Sequence, residues 1–455
     1  MKTLFKVNIN WGLFLLLSAS IRLIFLDISI FSFVAILITL FQFVLLFHSI
    51  GKIIPIRYLF GSLMCLQLLL GPVLAYNGLD TYQTGFYKMQ IPEQEYFLYV
   101  IPAVIMFIFG LHFKAGTFLG ETVDVEQIEQ YLIKNRQLPF ILIIIGFISS
   151  ITGSFFSNDF AFVFFLLGGF KFIGVFLLMF SQHTLKPVYL ILVYASIIAS
   201  SIVNAMFHDL LIWLIFLGMI FAIKYQPSRF LKSIFVISFI ALAVFIQIIK
   251  PDYRKSTWKQ GEEAGVMTLE KTINQRQELT GFFDSKQLAQ SNVRINQGAI
   301  ITNIMRNVPE HVPYANGTEL LEVLEASILP RIIAPDKLNA GDRDFFMKWS
   351  GMVISSNTSM GLSSVGDAYV NFGIIGGCFF MFFYGWLFNA TLKIFANYKS
   401  QFPILILFVC LVFYYPIRPD CELHTILGHL FKSCFLIFLI CSFWKNELRF
   451  KASSN

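Results

Sequence analysis

The side chains best placed to do chemistry in this 455-residue chain are mostly cations. Arg294, Arg306, Arg331, Arg343 and Arg418 fall in its C-terminal half, and Lys171 stands in the middle of the apolar run GGFKFIG. Arginine's planar fork matches pairs of phosphate or diphosphate oxygens. A lysine inside an apolar run is costly unless it serves a site. Apart from Asp209, no carboxylate lies within an apolar run to pair with Arg22, Lys171 or Lys432, so the pattern points to an anion brought by a substrate. Snorkelling of Arg22 to headgroups and bonding of Lys171 to helix carbonyls account for those two residues equally well. Candidates for a base are His311 and Asp367, followed by Asp209 and Glu319, each able to accept a proton from a hydroxyl. Asp367 lies in SSNTSMGLSSVGDAYVNFG, Ser355 to Gly373, which leads into a helix N-terminus where unpaired N–H groups favour phosphate. An ordinary capped helix start explains the same residues. The chain has no HExxH, no Walker loop, no GxSxG and no His/Asp cluster at metal spacing, so neither metal nor cofactor is expected.

A membrane bundle must hold these residues. Hydrophobic residues make up 56% of the chain and charged residues 13%, with a mean hydropathy of +0.70; soluble domains carry about a quarter charged residues. The net charge of +7 sits largely in short loops and at the termini, where topology accounts for it and a nucleic-acid partner is not required. Six cysteines at 65, 378, 410, 421, 434 and 441 lack any C-x-x-C spacing, which excludes a zinc site and gives no disulfide framework. Trp11 to Leu26 follows Lys2 and Lys6 as a signal peptide would, but no small-residue cleavage site comes after it, so a retained first span is expected.

Runs near the length a transmembrane helix needs, roughly 17 to 25 residues, fall at 11–26, 29–47, 58–76, 96–113, 139–156, 160–180, 188–204, 207–223, 233–249, 370–392, 402–415 and 424–444. The first, eighth and eleventh are short. Threading about 12 spans with the N-terminus inside puts Lys52, Arg57, Lys114, Lys134, Arg136, Lys186, Lys224, Arg229, Lys232, Lys393, Lys399, Lys445, Arg449 and Lys451 in the cytoplasm. Only Lys88 and Arg418 then fall in short outer loops, as the positive-inside rule requires. The predicted organisation is a bundle over 1–249, an extracytoplasmic loop over 250–366, further spans over 367–444 and a cytoplasmic tail over 445–455. Within the loop, INQGAIITNIM (Ile295 to Met305) and ELLEVLEASIL (Glu319 to Leu329) have helical apolar spacing. Gly317 and Thr318 start the second and Pro330 stops it, with Leu320, Leu321, Leu324 and Ile328 on one face.

The order of these pieces resembles the bacterial O-antigen and oligosaccharide repeat-unit polymerases, the Wzy-type enzymes. The matching segments are Arg306 with Gly317, SILPRIIAPDK from Ser327 to Lys337, and SSVGDAYVNFGIIGG from Ser363 to Gly377. The resemblance implies an all-α integral membrane protein, a GT-C-like helical bundle of about 12 transmembrane helices with one large, partly helical loop between spans nine and ten. It further implies a glycosyltransferase that moves a growing glycan from undecaprenyl diphosphate onto a lipid-linked repeat unit at the outer face of the bacterial inner membrane. Its partners would be that lipid-linked oligosaccharide, membrane lipids, a chain-length regulator and a flippase. On this reading Arg294, Arg306, Arg331, Arg343, Arg418, Lys171 and Gly317 serve the diphosphate and glycan, while His311 and Asp367 serve catalysis. Related readings are an O-antigen ligase or another polyprenyl-linked glycosyltransferase; metal-dependent members of the latter place acidic residues in the first outer loop, where this chain has only Asp27. Of two readings from other classes, a non-catalytic subunit of an export machine makes no demand on these residues, whereas a transporter or flippase would be expected to show two matching halves, not a nine-and-three division.

Overall fold

The computed structural model describes residues 10–83, 85–114, 121–156, 158–279, 289, 292–293, 295–329, 333–334, 336–355 and 358–450. These are helical, with no strand among the described residues. The main helices are α1 (Trp11–Ile24), α2 (Ile30–Ser49), α3 (Ile56–Tyr76), α4 (Glu93–His112), α5 (Val125–Lys134), α6 (Leu138–Thr152), α7 (Ala161–Phe180) and α8 (Lys186–Val203). They continue with α9 (His208–Tyr225), α10 (Arg229–Trp258), α11 (Val266–Leu279), α12 (Gly298–Asn307), α13 (Thr318–Ile328), α14 (Arg343–Ser350), α15 (Ser363–Tyr398) and α16 (Leu423–Phe443). Side chains that would compete with a helix interior are used at its ends: Asn10, Ser29, Asp124, Ser228 and Asp342 each accept a backbone N–H as N-caps.

Nine of the described helices are long and apolar enough to cross a membrane: α2, α3, α4, α7, α8, α9, α10, α15 and α16. The expected eighth run reaches that length as α9. The other three expected runs are shorter. α1 has 14 residues, α6 has 15, and Pro403–Val412 begins as a 3-10 turn buried among its neighbours. α6 opens at Pro139 as a new helix bent 85° from α5, because a proline is favoured in a first turn and cannot continue one, and it stops at Thr152, where a 3-10 turn over Gly153–Phe155 follows.

Two contacts fix the frame of the bundle. α4 and α15 form its most extensive helix pair, and there Gly110 and Gly385 bring the backbones together. A Cβ on the first would lie 2.1 Å from the Phe382 carbonyl oxygen and on the second 2.2 Å from that of Phe107. In α3, a π-turn over Leu66–Leu70 breaks the regular ladder. The carbonyls there are used by other elements: Gln67 O accepts the Gln297 N–H at 3.1 Å, Leu68 O accepts the Tyr96 hydroxyl at 2.8 Å, and Gly71 O accepts Asn292 Nδ2 at 3.1 Å. The segment leading into α12 is therefore stitched to the bundle, and Gly298 to Met305 of α12 are buried.

α13 begins and ends where its sequence places it, but its packing face differs from the apolar stripe. Leu321 is 68% exposed and Ile328 55% exposed, while Val323, Ala326 and Ser327 are buried in the helix pair with α16. Close approach between helices favours small residues, and Ser327 Oγ reaches the His424 carbonyl across the gap at 3.1 Å.

Candidate active site

α15 is 36 residues long, about 54 Å if straight, against roughly 30 Å of hydrocarbon. It is not straight. Gly373 has φ 62° and ψ −157°, a conformation open essentially to glycine alone, and it separates a first segment, SSVGDAYVNF, from the longer remainder. Tyr314 packs against Gly373, and the Val370 carbonyl accepts the Ala315 N–H at 3.0 Å, so the loop before α13 braces the bend.

The first segment carries Asp367, which is 4% exposed and whose Oδ2 has no hydrogen-bond partner among the described residues. The groups acting on this carboxyl are the carboxylates of Glu422 and Glu319 and the backbone N–H of Leu423. A small pocket opens at this point, lined by Asp342, Phe345, Phe346, Met360, Asp367, Glu422 and His424 among others. Three acidic residues and a histidine thus converge at the mouth of α15 and α16.

Each member is held by its own element. Glu422 precedes α16, and its Oε2 accepts the Gly341 N–H at 2.9 Å and the Thr425 hydroxyl at 3.1 Å. His424 Nε2 lies 3.0 Å from the Asn339 carbonyl oxygen and 3.3 Å from Glu422 Oε2. Both neighbours are acceptors, which assigns a proton to Nε2. Asp342 caps α14 through the Phe345 N–H at 3.0 Å. Lys337 completes the local set: its ammonium donates to the Ala326 carbonyl at 3.1 Å and to that of Leu329, so the last turn of α13 is capped by a cation, and its charge also acts on His424.

Of the residues singled out from sequence, Asp367 lies in this pocket and the others are dispersed. His311 is exposed on the turn after α12, where its N–H donates to the Asn307 carbonyl at 2.8 Å, and it does not line the pocket. Arg306 is exposed and reaches Gln90 Oε1 at 2.5 Å. Arg343 donates to the Ile354 carbonyl at 3.0 Å, one residue from Asp342. Arg418 lies 3.6 Å from the Asp420 carboxylate and 5.2 Å over the Tyr415 ring, in a neighbouring polar group where Asp209 pairs with His208 at 2.6 Å. Lys171 donates to Ser150 Oγ at 3.1 Å between α6 and α7, with the Phe147 and Phe172 rings 5.3 and 5.6 Å from its ammonium. Gly317 is the left-handed residue before α13, and Glu319 is buried against Lys348 at 2.6 Å. Arg294 and Arg331 lie outside the described residues. The described cations therefore do not form one shared cavity; each meets a separate partner. Among the described residues no cluster of His, Cys, Asp or Glu could hold a metal ion.

Glu422 and Asp342 were not marked by the sequence. Glu422 lies in YYPIRPDCELH, a short polar stretch between two apolar runs, and that concentration of Arg, Asp, Glu and His was the available signal.

Residues 103–446 match a family described as a domain of unknown function (DUF8712), well over half of the chain and including every side chain of the pocket. The chain belongs to that family. No curated protein and no solved structure matches it. The matched region runs from within α4 to just past α16, so the family unit contains the α4 and α15 pair, the long segment after α10 and both helices that carry the pocket.

Proposed function

We propose that this membrane protein is a glycosyltransferase of the repeat-unit polymerase kind. It would act in a bacterial inner membrane with both termini cytoplasmic and 250–366 outside. The observation that supports this reading is the buried Asp367 carboxyl, whose Oδ2 has no hydrogen-bond partner among the described residues, set within the GDAYVNFG segment that carries the family resemblance, at the junction of the loop helices and the bundle. A proton acceptor in a pocket shielded from water is what activation of a sugar hydroxyl needs.

In the proposed reaction the acceptor hydroxyl loses its proton to Asp367, with Glu422 and His424 lining the same pocket. The acceptor oxygen forms the new glycosidic bond as the bond from the donor sugar to undecaprenyl diphosphate breaks. The electron pair of that bond leaves with the diphosphate, whose charge is met by cations of the same side. Arg343, Arg418 and Arg306 are the described candidates, Lys171 is an intramembrane one, and Arg294 and Arg331 belong to the same set. Gly317 would allow the chain to turn into α13 beside this site.

A deletion strain complemented with Asp367→Asn tests the reading. The polymerase reading expects single repeats to remain on the cell surface while the ladder of longer chains disappears. Loss of all surface-attached polymer with lipid-linked polymer accumulating would replace it with the ligase reading. An unchanged ladder would overturn both.

A further inference from the structure

At the end of the bundle opposite the pocket, four basic side chains gather around one turn. α2 ends at Ser49 and α10 begins at Arg229, and both are membrane-spanning candidates, so the Gly51 turn between α2 and α3 lies at the level of one helix end from each. Lys52 Nζ is 2.7 Å from His48 Nε2, and Lys232 Nζ donates to the Ile50 carbonyl at 3.0 Å. Lys232 passes so close to Gly51 that a Cβ there would lie 2.7 Å from the ammonium, and the glycine also holds a left-handed φ of +85°. Gln226, itself left-handed, secures the turn by donating to the Gly51 carbonyl at 2.6 Å. Arg229, exposed at the first turn of α10, adds a fourth basic group where the helix dipole is also positive. Like charges assembled this closely repel one another: burial, then Lys232 and Arg229, hold the Lys52 ammonium below its ordinary value. Beside them Tyr225, Phe230, Leu231 and Ile234 expose apolar surface at 52, 76, 40 and 42%.

We infer that Lys52, Arg229 and Lys232, with His48 holding the Lys52 ammonium in place, form a binding site for the phosphate of an acidic lipid headgroup, whose acyl chains lie along the exposed side of α10. The ammonium of Lys232 spends one of three donors on Ile50, leaving two for phosphate oxygens. Arg229 contributes a fork suited to the same group. The apolar neighbours favour a lipid source over free phosphate, because a soluble anion gains nothing from them.

The full chain, placed in nanodiscs of phosphatidylcholine with or without phosphatidylglycerol, tests this by the midpoint of thermal unfolding and by the lipid retained on extraction. Phosphatidylcholine discs with inorganic phosphate in the buffer form the third arm. Wild type should be stabilised by phosphatidylglycerol and retain it. Arg229→Gln with Lys232→Gln should weaken retention on the order of thirtyfold, each basic group near a membrane surface contributing about a fivefold factor. A pair of equal charge change elsewhere, Lys134→Gln with Arg136→Gln, should leave retention unchanged. Equal loss in both pairs, or no response of wild type to phosphatidylglycerol, overturns the site; an equal response to inorganic phosphate overturns its assignment to lipid. Should the first pair not fold, Lys52→Gln alone carries the same comparison with an expected loss of about fivefold.

Discussion

The two ends of α15 each meet a buried carboxylate from another part of the chain or hold one of their own, and the surroundings differ. Towards the C-terminal end, Glu121 is 1% exposed and lies 2.7 Å from Arg57, itself 3% exposed. The same guanidinium donates to the Leu111 carbonyl at 2.9 Å and to Asn389 Oδ1 of α15 at 3.0 Å, so three helices and a loop share one cation. At the N-terminal end Asp367 is equally hidden, but its charged neighbours are two further carboxylates. Glu121 Oε2, like Asp367 Oδ2, lacks a hydrogen-bond partner among the described residues, so the difference is the sign of the nearest charge: a cation beside Glu121, further acids beside Asp367. The contrast sets a cation-paired carboxyl against an acid-flanked one at the two ends of α15.

The largest expected effect breaks that contrast at the site. Asp367→Asn should lower glycan transfer by about a hundredfold or more, in the range expected when a general base is removed, while the thermal midpoint stays level or rises because no buried carboxyl remains to be accommodated. Polymer length assayed in membranes, beside unfolding of the purified protein, separates the two outcomes. A large loss of stability with activity per folded molecule unchanged would place Asp367 with Arg57 as a structural residue.

Arg57→Met is the converse. Removing one partner of a buried pair costs about 3–5 kcal/mol, because Glu121 is then left without its cation. The amount of folded protein in membranes should fall, with turnover per folded molecule retained. Substituting Glu121→Gln together with Arg57→Met should recover part of the loss, and failure to do so would mean the guanidinium matters mainly through Leu111 and Asn389.

Gly373→Ala should cost on the order of 1–3 kcal/mol, the strain of a non-glycine residue in this backbone region, with the new methyl also 3.3 Å from the Tyr314 ring. Because the bend carries the Asp367 segment, transfer should fall by more than the loss of folded protein explains. Equal losses of the two would show that the bend supports the fold without orienting the site.

What the sequence made legible follows from short-range physics. Helical character, the ends of α13 at Thr318 and Ile328, and most of the spans come from apolar spacing and from glycine and proline at the boundaries. Asp367 was visible because it sits in a recognisable segment. Glu422 and Asp342 were not, because their meeting with Asp367 depends on how α14, α15 and α16 converge, which no local pattern encodes. The same holds for the packing face of α13: apolar spacing grouped Leu320, Leu321, Leu324 and Ile328 on one face without saying what it meets, and in the fold Leu321 and Ile328 are exposed while Val323, Ala326 and Ser327 make the contact with α16. The arginines were grouped from sequence as one set serving a diphosphate and glycan, and Arg306, Arg343 and Arg418 instead meet separate partners.

The smallest effect concerns pH at the cation-paired carboxyl. Burial pushes the Glu121 carboxyl up to about 7, with Arg57 pulling the other way, while the unfolded chain releases that proton near the ordinary value of 4.5. Between these values the folded state binds more protons than the unfolded one, so stability is greatest at the acid end and declines as pH rises, levelling once the folded carboxyl has ionised. This is opposite in sign to an exposed salt bridge, whose carboxylate is held low and loses stability on acidification. The thermal midpoint of wild type should therefore drift down from about pH 5 to pH 7 relative to Glu121→Gln, which has no proton to release there. A relative drift upwards would mean that Arg57 outweighs burial and holds Glu121 ionised throughout, leaving the two groups a permanent ion pair and the acid cluster around Asp367 the place to look for proton uptake.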